Sequence, residues 1–369
     1  MEQAGCRTAG RFLLRAFTFT PTEIQMMQEK NGGTKIDWRQ LWDIVAKHQR
    51  FILTSHVRPD GDSLGSQLAM AATLEALGKD TLLLNQDRVP HSLTFLDPGG
   101  KIRVLDELTP AEKDFAENAD CHVILDLSSW SQLGRVADLY REGKREKVII
   151  DHHKSNKDLP GVYFLDPDAE ATGRLVFEAL EASGVPMTPS TAFALMTAIA
   201  TDTGWFRFSS VSDRTYEIAA ELVRRGVNPA QLYKLIYEQE TVGRIRLIGR
   251  ALANAERFMD GKIFLTSLRN ADFEASGARR SDSEDIVNEL LKIKDSEQAI
   301  IMVEQESGTF KISFRSRCAV DCSRLAAQFN GGGHHQAAGA SCDLPFEEAK
   351  KALVDAAVAA AVAAENGAK

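Results

Sequence analysis

Cysteines and long apolar runs are both scarce in this sequence. Five cysteines stand among 369 residues, and no two of them form the CxxC pair of a zinc module. Small secreted domains depend on paired cysteines, so an odd and scattered set favours free buried thiols in a reducing cytoplasm. No apolar run approaches the roughly 20 residues that a transmembrane helix needs. We therefore expect a cytoplasmic protein without a membrane partner.

The sequence also has no excess of basic over acidic residues. The chain has 44 Lys and Arg against 52 Asp and Glu, which gives a formal net charge of −8. Tight, non-specific binding of long nucleic acid requires many contacts between basic side chains and phosphates. The charge therefore disfavours long duplex nucleic acid as a partner. It remains compatible with a small phosphate ester that a few arginines and metal ions hold.

The length of the chain favours two domains. Its 369 residues exceed the size at which a single hydrophobic core stops growing. Residues 1–36 are expected to be a disordered extension or the product of a misassigned start, with a transit peptide as the alternative and Met26 and Met27 as later starts. We expect a catalytic domain over 37–238, a helical linker over 239–257, and a smaller domain over 258–369.

The first domain shows the pattern of an α/β fold with a parallel sheet. Its predicted strands are continuously apolar rather than alternating, which indicates burial on both faces. These strands cover residues 51–55, 81–85, 123–127, 148–150 and 162–165. Predicted helices alternate with them or follow them, over residues 63–77, 173–182, 192–200 and 213–225.

The last third of the chain has an α+β pattern. Strands are expected over 262–268, 299–305 and 309–316, and helices over 281–293 and 321–329. The first of these helices would begin at a capping box formed by Ser281 and Glu284. We expect the active site in the cleft between this domain and the first.

A dense polar cluster lies between the first strand and its helix. His56 follows the strand, and Asp60 and Asp62 follow in a turn. Polar groups at the carboxyl ends of parallel strands are where α/β folds place their sites, and carboxylate and imidazole suit divalent ions. The alternative is an ordinary turn with an Asp helix cap. An EF-hand is excluded, because Leu64 and Ala71 occupy two of its acidic positions.

Three further polar groups stand at the ends of predicted elements. Asp126 ends an apolar strand, Asp151, His152 and His153 end another, and Asp202 follows an apolar helix. Taken singly, each is more typical of a cap or of a hydrogen-bonded core histidine. It is improbable that each of these polar groups has its own unrelated structural explanation. The better interpretation is that all of them lie in one cleft.

The charges of these side chains favour two metal ions. Asp60, Asp62, Asp126 and Asp202 bring four negative charges that two divalent ions would neutralise. Without metal, such carboxylates would repel one another and raise one another's pKa values. Between two ions about 3.5–4 Å apart, a bridging water would ionise near neutral pH and could attack phosphorus.

In order and spacing, these residues resemble the four motifs of the DHH phosphoesterase superfamily. The matching positions are His56-xxx-Asp60-x-Asp62, Asp126, Asp151-His152-His153 and Asp202. The stretch Gly331-Gly-Gly-His334-His335-Gln-Ala-Ala-Gly339 looks like the signature of the DHH-associated C-terminal domain. The resemblance covers roughly residues 40–345 and is greatest to the bacterial group of nanoRNases (oligoribonucleases) that are also pAp phosphatases.

The resemblance implies a role for each residue of the first domain. One metal ion would be held by His56 and Asp60, the other by Asp62, His152 and Asp202, with Asp126 bridging the two. His153 would face the scissile phosphate, and Asp151 would orient an imidazole or the turn. Manganese is the expected ion, with magnesium or cobalt as substitutes.

The second domain is expected to bind the substrate. Arg315 matches an arginine with which family members grip a phosphate, while Arg317 is interpreted as a solvated surface charge. Backbone N–H groups at Gly332 and Gly333 could approach an anion, with His334 and His335 beside them. The alternative for this stretch is a flexible loop with two exposed histidines.

The resemblance thus implies hydrolysis of short oligoribonucleotides, dinucleotides and 3′-phosphoadenosine 5′-phosphate (pAp) by metal-generated hydroxide. The alternatives are a cyclic-dinucleotide or pApA phosphodiesterase and a nucleotide-binding regulator without turnover. Homodimerisation is expected by analogy with relatives. Trp205, Phe206 and Phe208 could stack a base, although aromatic residues after a buried helix are more often core.

Overall fold

The computed structural model describes residues 36–142, 145–154 and 158–367, so all but the last residue of the expected N-terminal extension lies outside the description. The chain divides into two compact units between Glu238 and Gln239. The segment predicted as a linker carries helix α10 (Val242–Ala253), whose Leu247 and Ala251 are buried in a core of the second unit. Ile248 packs against the same core, so one face of α10 belongs to the second unit.

The first unit is built on a six-stranded parallel sheet. Its strand order is β3-β2-β1-β4-β5-β6, and every neighbouring pair is parallel. The strands are β1 (Arg50–Thr54), β2 (Asp80–Asn85), β3 (Ile102–Val104), β4 (Cys121–Leu125), β5 (Glu146–Asp151) and β6 (Val162–Leu165). The predicted α/β class with a parallel sheet is confirmed.

Nine helices connect and cover these strands within the described part of the first unit. They are α1 (Trp38–Lys47), α2 (Gly61–Ala76), α3 (Pro110–Glu117), α4 (Trp130–Leu133), α5 (Val136–Glu142), α6 (Thr172–Ser183), α7 (Pro189–Asp202), α8 (Asp213–Arg224) and α9 (Pro229–Tyr237). Two short 3-10 segments, His91–Leu96 and Leu105–Glu107, complete the connections around β3.

Both faces of the sheet are covered, as continuous apolar strands require. Phe51 and Leu53 of β1 enter the main core cluster, whereas Ile52 between them enters a cluster on the other face. All three side chains are fully buried. Since successive side chains of a strand point to opposite faces, an uninterrupted apolar run is the pattern that this environment selects.

The strand order places a topological switch between β1 and β4. From β1 the chain first winds outward to β2 and β3, and it then returns to the other side of β1 to form β4. In open α/β sheets, the loops leaving two such strands diverge to opposite faces and open a crevice at their carboxyl ends. His56 and Asp126 follow these two strands.

The second unit is built on a mixed six-stranded sheet. Its order is β11-β12-β10-β9-β8-β7, in which only β8 and β9 are parallel. The strands are β7 (Glu256–Phe258), β8 (Ile263–Leu268), β9 (Gln298–Glu304), β10 (Phe310–Ser316), β11 (Gly332–Gly333) and β12 (Ala337–Cys342). With α10 come helices α11 (Asn270–Ser276), α12 (Val287–Leu290), α13 (Cys322–Ala327) and α14 (Phe346–Gly367), and 3-10 segments Met259–Gly261 and Arg280–Ser283.

The helix predicted over 281–293 is wrong in its extent. The structure has a 3-10 segment, then Asp285 at φ 61°, and then the short α12. A left-handed residue cannot continue a right-handed helix, so Asp285 separates the two pieces. The capping contacts also differ: Asp282 accepts from the backbone of Arg279, and Ser281 is not the cap.

The four cysteines within the described residues are free, as predicted. Cys121, Cys322 and Cys342 are buried, and Cys318 is half-buried. Burial raises the pKa of the Cys121 thiol to about 12, which keeps it protonated and unreactive. No helix among the described residues has the length and apolar character to cross a bilayer.

Candidate active site

The turn after β1 holds the first group of predicted site residues. Asp60 is the N-cap of α2: its Oδ1 accepts from the backbone N–H of Ser63 at 3.0 Å, and the Ser63 hydroxyl accepts from the backbone of Asp60. The helix-cap interpretation of Asp60 is therefore correct, but it does not compete with a role in the site. Oδ1 of Asp60, which caps the helix, also lies 3.7 Å from Nε2 of His56.

Asp126 follows β4 in a backbone conformation that few residues adopt. Its φ is 66°, and its N–H donates to the carbonyl of Ile150 at 3.0 Å. The left-handed region costs energy for any residue with a Cβ, although Asp tolerates it better than most. The side chain is buried, so the strained turn directs a carboxylate inward, at the carboxyl ends of the two central strands.

Asp62 and Asp202 come from two helices that pack unusually close together. A Cβ at Gly65 of α2 would lie 2.3 Å from the carbonyl oxygen of Ala194 in α7. Only glycine allows this approach, because a real Cβ would overlap the backbone of the other helix. The contact brings the first turn of α2, with Asp62, alongside the last turn of α7, with Asp202.

Backbone carbonyls fix the tautomer of His56 and of His152. The Nδ1 of His56 lies 2.9 Å from the carbonyl oxygen of Val57, and the Nδ1 of His152 lies 3.1 Å from that of Ala169. A carbonyl oxygen only accepts hydrogen bonds, so each Nδ1 carries the proton. In the neutral ring, each Nε2 then presents a lone pair to the centre of the cluster.

The two Nε2 atoms point at carboxylates. For His56, Nε2 lies 3.7 Å from Asp60 Oδ1 and 3.3 Å from Asp126 Oδ2. For His152, Nε2 lies 3.6 Å from Asp126 Oδ1, 3.8 Å from Asp62 Oδ2 and 3.5 Å from Asp202 Oδ2. The two oxygens of Asp126 therefore face different histidines.

Ligand atoms in this cluster form three sets whose members lie within 4.8 Å of one another. The sets are His56 with Asp60 and Asp126; Asp62 with His152 and Asp202; and Asp126 with His152 and His153. The first two sets share no residue. Asp126 belongs to the first set and, through the third, also lies close to His152 of the second.

The electrostatics of the cluster fit divalent cations. Burial and the charge of Asp126 raise the pKa of Asp62 well above its usual range. Burial raises the pKa of Asp202 to about 6, with His152 opposing the shift and Asp126 adding to it. Burial alone would lower the pKa of His56, but its bonds to Asp126 and Asp60 raise it to about 10. The carboxylates thus repel one another, and metal ions would relieve this.

His153 differs from its neighbour in its partner. Its Nδ1 lies 2.7 Å from Oδ1 of Asp151, which is fully buried, while the imidazole remains 41% exposed. This bond, against the opposing effect of burial, raises the pKa of His153 to about 9. The carboxylate fixes the ring so that its Nε2 is directed away from Asp151.

Sequence reasoning missed the segment 169–173. It supplies the Ala169 carbonyl to His152 and places the Thr172 hydroxyl 2.9 Å from Asp126 Oδ1. The backbone N–H groups of Thr172 and Gly173 donate to Asp62 at 2.7 and 2.8 Å. No local signal marked these contacts: with the helix predicted to begin at residue 173, Thr172 has the form of an ordinary N-cap residue, whereas the N-cap in the structure is Ala171.

The residues predicted to bind substrate lie in the second unit. Arg315 is on β10, and its guanidinium donates to Asn288 Oδ1 at 3.1 Å and to Asp285 Oδ1 at 3.4 Å. Gly332 and Gly333 form β11, so this part is a strand rather than a loop. His334 and His335 follow it and are exposed.

The packing also bears on the interpretations of Arg317 and of the aromatic residues that follow α7. Arg317 is exposed, as its interpretation as a surface charge predicted, and its guanidinium also donates to the backbone carbonyls of Ser296 and Ile293. Trp205 and Phe206 pack against the main core of the first unit, as the core interpretation predicted, whereas Phe208 is 51% exposed and the core interpretation is wrong for it.

Comparison with known proteins agrees with this arrangement. Residues 50–201 match the model of the DHH family, N-terminal domain, and residues 261–363 match that of the DHHA1 domain. The bifunctional oligoribonuclease and PAP phosphatase NrnA of Thermus thermophilus is 30% identical over 311 residues, which cover 82% of this chain and 88% of that protein. NrnA of Bacillus subtilis is 25% identical over 314 residues, covering 84% and 95%.

A solved structure supports the fold over most of the chain. An exopolyphosphatase-related protein from Bacteroides fragilis superimposes with a TM-score of 0.76 at 28% identity, covering 88% of this chain and 97% of that one. The matched family models include the segments that carry the clustered aspartates and histidines, Asp202 following directly. The chain is therefore a phosphoesterase and belongs to the DHH family, with a DHHA1 domain after its DHH domain.

Proposed function

We propose that this protein is a two-metal phosphoesterase that hydrolyses short oligoribonucleotides, dinucleotides included, and pAp. One observation carries the proposal: the Nδ1 atoms of His56 and His152 both bond to backbone carbonyls, so both Nε2 atoms face carboxylates. Metal-ligating histidines are oriented by such a bond on the other ring nitrogen.

The donor set suits two divalent cations. His56 and Asp60 would hold one, and Asp62, His152 and Asp202 the other, with Asp126 shared. Bound there, such ions would supply Lewis acidity that polarises phosphoryl oxygens and lowers the pKa of water for in-line attack on phosphorus. Manganese fits a mixed set of imidazoles and carboxylates, and magnesium or cobalt are the substitutes.

His153 would supply the proton that the leaving oxygen needs. Its Nδ1 is engaged by Asp151, which leaves Nε2 as the donor toward a phosphate ester. The buried carboxylate favours the protonated ring and prevents it from rotating. Asp151 would therefore act through His153 and would not touch the substrate.

The second unit would bind the remainder of the substrate. Arg315 is held at the end of β10 by Asn288 and Asp285, which pre-organises its guanidinium for a phosphate. Gly332, Gly333, His334 and His335 would add backbone and imidazole donors. With a net charge of −8, the chain favours a short anionic substrate over long nucleic acid. The free thiols agree with a cytoplasmic location.

The direct test uses the purified full-length chain with Mn²⁺ and a panel of substrates. The panel contains pAp, pApA, cyclic di-AMP, RNA of graded length from dinucleotides upward, and pyrophosphate. We expect turnover of pAp and of the shortest RNA, with kcat/KM falling as the RNA lengthens. Magnesium and cobalt are compared with manganese at equal concentration.

Any other result of this test would favour a different function. Preference for pyrophosphate or long RNA would refute the proposed substrate class. Cyclic di-AMP or pApA as the best substrate would make the chain a phosphodiesterase of cyclic-dinucleotide metabolism. Binding of nucleotides without turnover under any metal would favour a regulator.

A further inference from the structure

Segment 169–173 contacts residues of both proposed metal sites. It joins the loop after β6 to the first two residues of α6, and its backbone and one hydroxyl reach Asp62 of α2, Asp126 after β4 and His152 after β5. All five residues of the segment are buried. Three ligand candidates from three separate elements therefore depend on one short segment for their orientation.

Asp62 caps helix α6 from another part of the chain. The N-cap residue Ala171 has no side chain that can accept a hydrogen bond. Instead, the first N–H groups of the helix donate to the two oxygens of Asp62, Thr172 to Oδ2 at 2.7 Å and Gly173 to Oδ1 at 2.8 Å. The positive end of the helix dipole adds to this attraction. Both carboxylate oxygens of Asp62 are thereby fixed in direction.

The Thr172 hydroxyl fixes Asp126 in the same way. An ionised carboxylate only accepts, so the hydroxyl donates to Asp126 Oδ1, 2.9 Å away. The same oxygen faces Nε2 of His152, whereas Oδ2 faces Nε2 of His56. A rotation of the carboxylate about its Cβ–Cγ bond would break this hydrogen bond and remove one oxygen from each histidine.

The segment itself is firmly anchored. Asp166 Oδ1 accepts from the N–H of Asp168 at 3.0 Å, and the Ala169 N–H donates to the Asp166 carbonyl at 3.1 Å. Glu170 is fully buried, and its Oε2 pairs with Nη1 of Arg174 at 3.1 Å. The closed turn at 166–169 precedes Thr172, and the ion pair between Glu170 and Arg174 spans it. Together they leave the Thr172 hydroxyl little freedom to move.

We propose that Thr172 is a positioning residue whose hydroxyl orients Asp126, so that one carboxylate oxygen serves each of the two metal sites. The inference rests on the proposed two-metal function. Hydrogen bonds from outer residues orient metal ligands and typically change metal affinity by about 10–100-fold when removed. Thr172 would therefore control metal binding without touching metal or substrate.

The test compares Thr172→Val with Thr172→Ser in the full-length chain by titration calorimetry with Mn²⁺ alone. Valine keeps the shape and removes the donor, and we expect its Mn²⁺ affinity to fall by about 10–100-fold. Serine keeps the donor and should bind Mn²⁺ nearly as wild type does. Thr73→Val is the matched control, because Thr73 is also buried but donates to the Ala69 carbonyl within α2.

The results of this test distinguish a failure of the positioning role from a failure of the proposed function. If wild type binds Mn²⁺ and Thr172→Val binds it equally well, the positioning role is refuted while the metal site stands. If wild type binds no Mn²⁺, the metal site and the inference fail together. Should Thr172→Val not fold, Thr172→Ala replaces it; wild-type affinity in that variant, or a large loss in Thr172→Ser, overturns the inference.

Discussion

The imidazole of His153 is held by the buried carboxylate of Asp151, with Nδ1 and Oδ1 2.7 Å apart, and this pairing separates His153 from its neighbour His152. The Nδ1 of His152 is bonded to a backbone carbonyl, and its Nε2 faces three carboxylates. A carboxylate partner favours a protonated ring, whereas a carbonyl partner is compatible with a neutral ligand. The two adjacent histidines thus differ in their hydrogen-bond partners, and the different roles that we propose for them rest on this difference.

The variant His153→Asn should lose activity and keep its metal. Removal of a positioned proton donor lowers kcat by about 10²–10⁴-fold, whereas Mn²⁺ affinity should be close to that of wild type. Steady-state kinetics on a short oligonucleotide and titration calorimetry measure the two quantities. His91→Asn, at an exposed position, is the control. Loss of Mn²⁺ binding would instead make His153 a ligand, as the set with Asp126 and His152 allows.

Manganese should stabilise the chain through Asp126. A ligand present at 100 times its Kd stabilises the folded state by about 2.7 kcal/mol, so Tm should rise when Mn²⁺ replaces a chelator. In Asp126→Asn most of this rise should disappear, and activity with it. Asparagine is chosen because it tolerates the left-handed backbone at φ 66° better than alanine does.

The control for this experiment is Asp138→Asn, which removes an exposed carboxylate from α5. Its Mn²⁺-induced rise in Tm should equal that of wild type. A full rise in Asp126→Asn, measured by differential scanning fluorimetry, would show that Asp126 is not shared between two ions.

Two glycine-to-alanine changes in helices should have opposite effects on stability. In Gly65→Ala the new Cβ would meet the Ala194 carbonyl at 2.3 Å, and overpacking of this kind costs about 1–3 kcal/mol. In Gly249→Ala of α10 the Cβ meets nothing within 4 Å, so the variant should gain about 0.5–1 kcal/mol. Urea unfolding measures both. A neutral Gly65→Ala would contradict the close approach of α2 and α7.

Acid should destabilise the first unit through His122. Burial, with the charges of Arg145 and Lys147, lowers the pKa of His122 to about 3, and its Nε2 lies 2.8 Å from the Thr54 hydroxyl. Between this value and the ordinary value of 6.5 the unfolded chain binds a proton that the folded chain does not. The free energy of unfolding therefore falls as pH falls, by about 1.4 kcal/mol per pH unit at most.

Comparison with His122→Gln isolates this contribution, because glutamine cannot take up the proton. Urea unfolding at a series of pH values from neutral to moderately acidic measures the slope for both chains. The slope should be smaller in the variant, since the other titrating groups are common to both. Equal slopes would mean that His122 gains its proton in the folded state.

Arg315→Ala should weaken substrate binding and leave the metal unaffected. Hydrogen bonds to charged groups are worth about 1.5–3 kcal/mol, so KM for a dinucleotide should rise by about 10–100-fold. Arg315→Lys should recover only part of this loss, because lysine lacks the planar fork. Arg324→Ala, which removes an almost fully exposed arginine from α13, serves as control. An unchanged KM would remove Arg315 from the binding site.

Local patterns in the sequence were sufficient for the class of the first unit and for the aspartates and histidines that the structure brings together in one cluster. Continuous apolar runs indicated a sheet buried on both faces, and polar side chains at the ends of those runs indicated where chemistry would be. His56 and Asp126 illustrate this: each stands directly after a buried strand, and parallel strands bring such positions to one edge. Such features depend on neighbours in the chain, so a sequence displays them.

Only the tertiary structure decided how these residues are held. The N–H of Thr172 reaches the carboxylate of Asp62 across 110 positions, and its hydroxyl reaches Asp126 across 46. The approach of α2 to α7 depends on a missing Cβ at Gly65. Contacts of this kind arise from which elements pack together and at what distance, and no spacing along the chain encodes them. The sequence by itself thus determined which groups could bind metal, and the packing determined which way each of them faces.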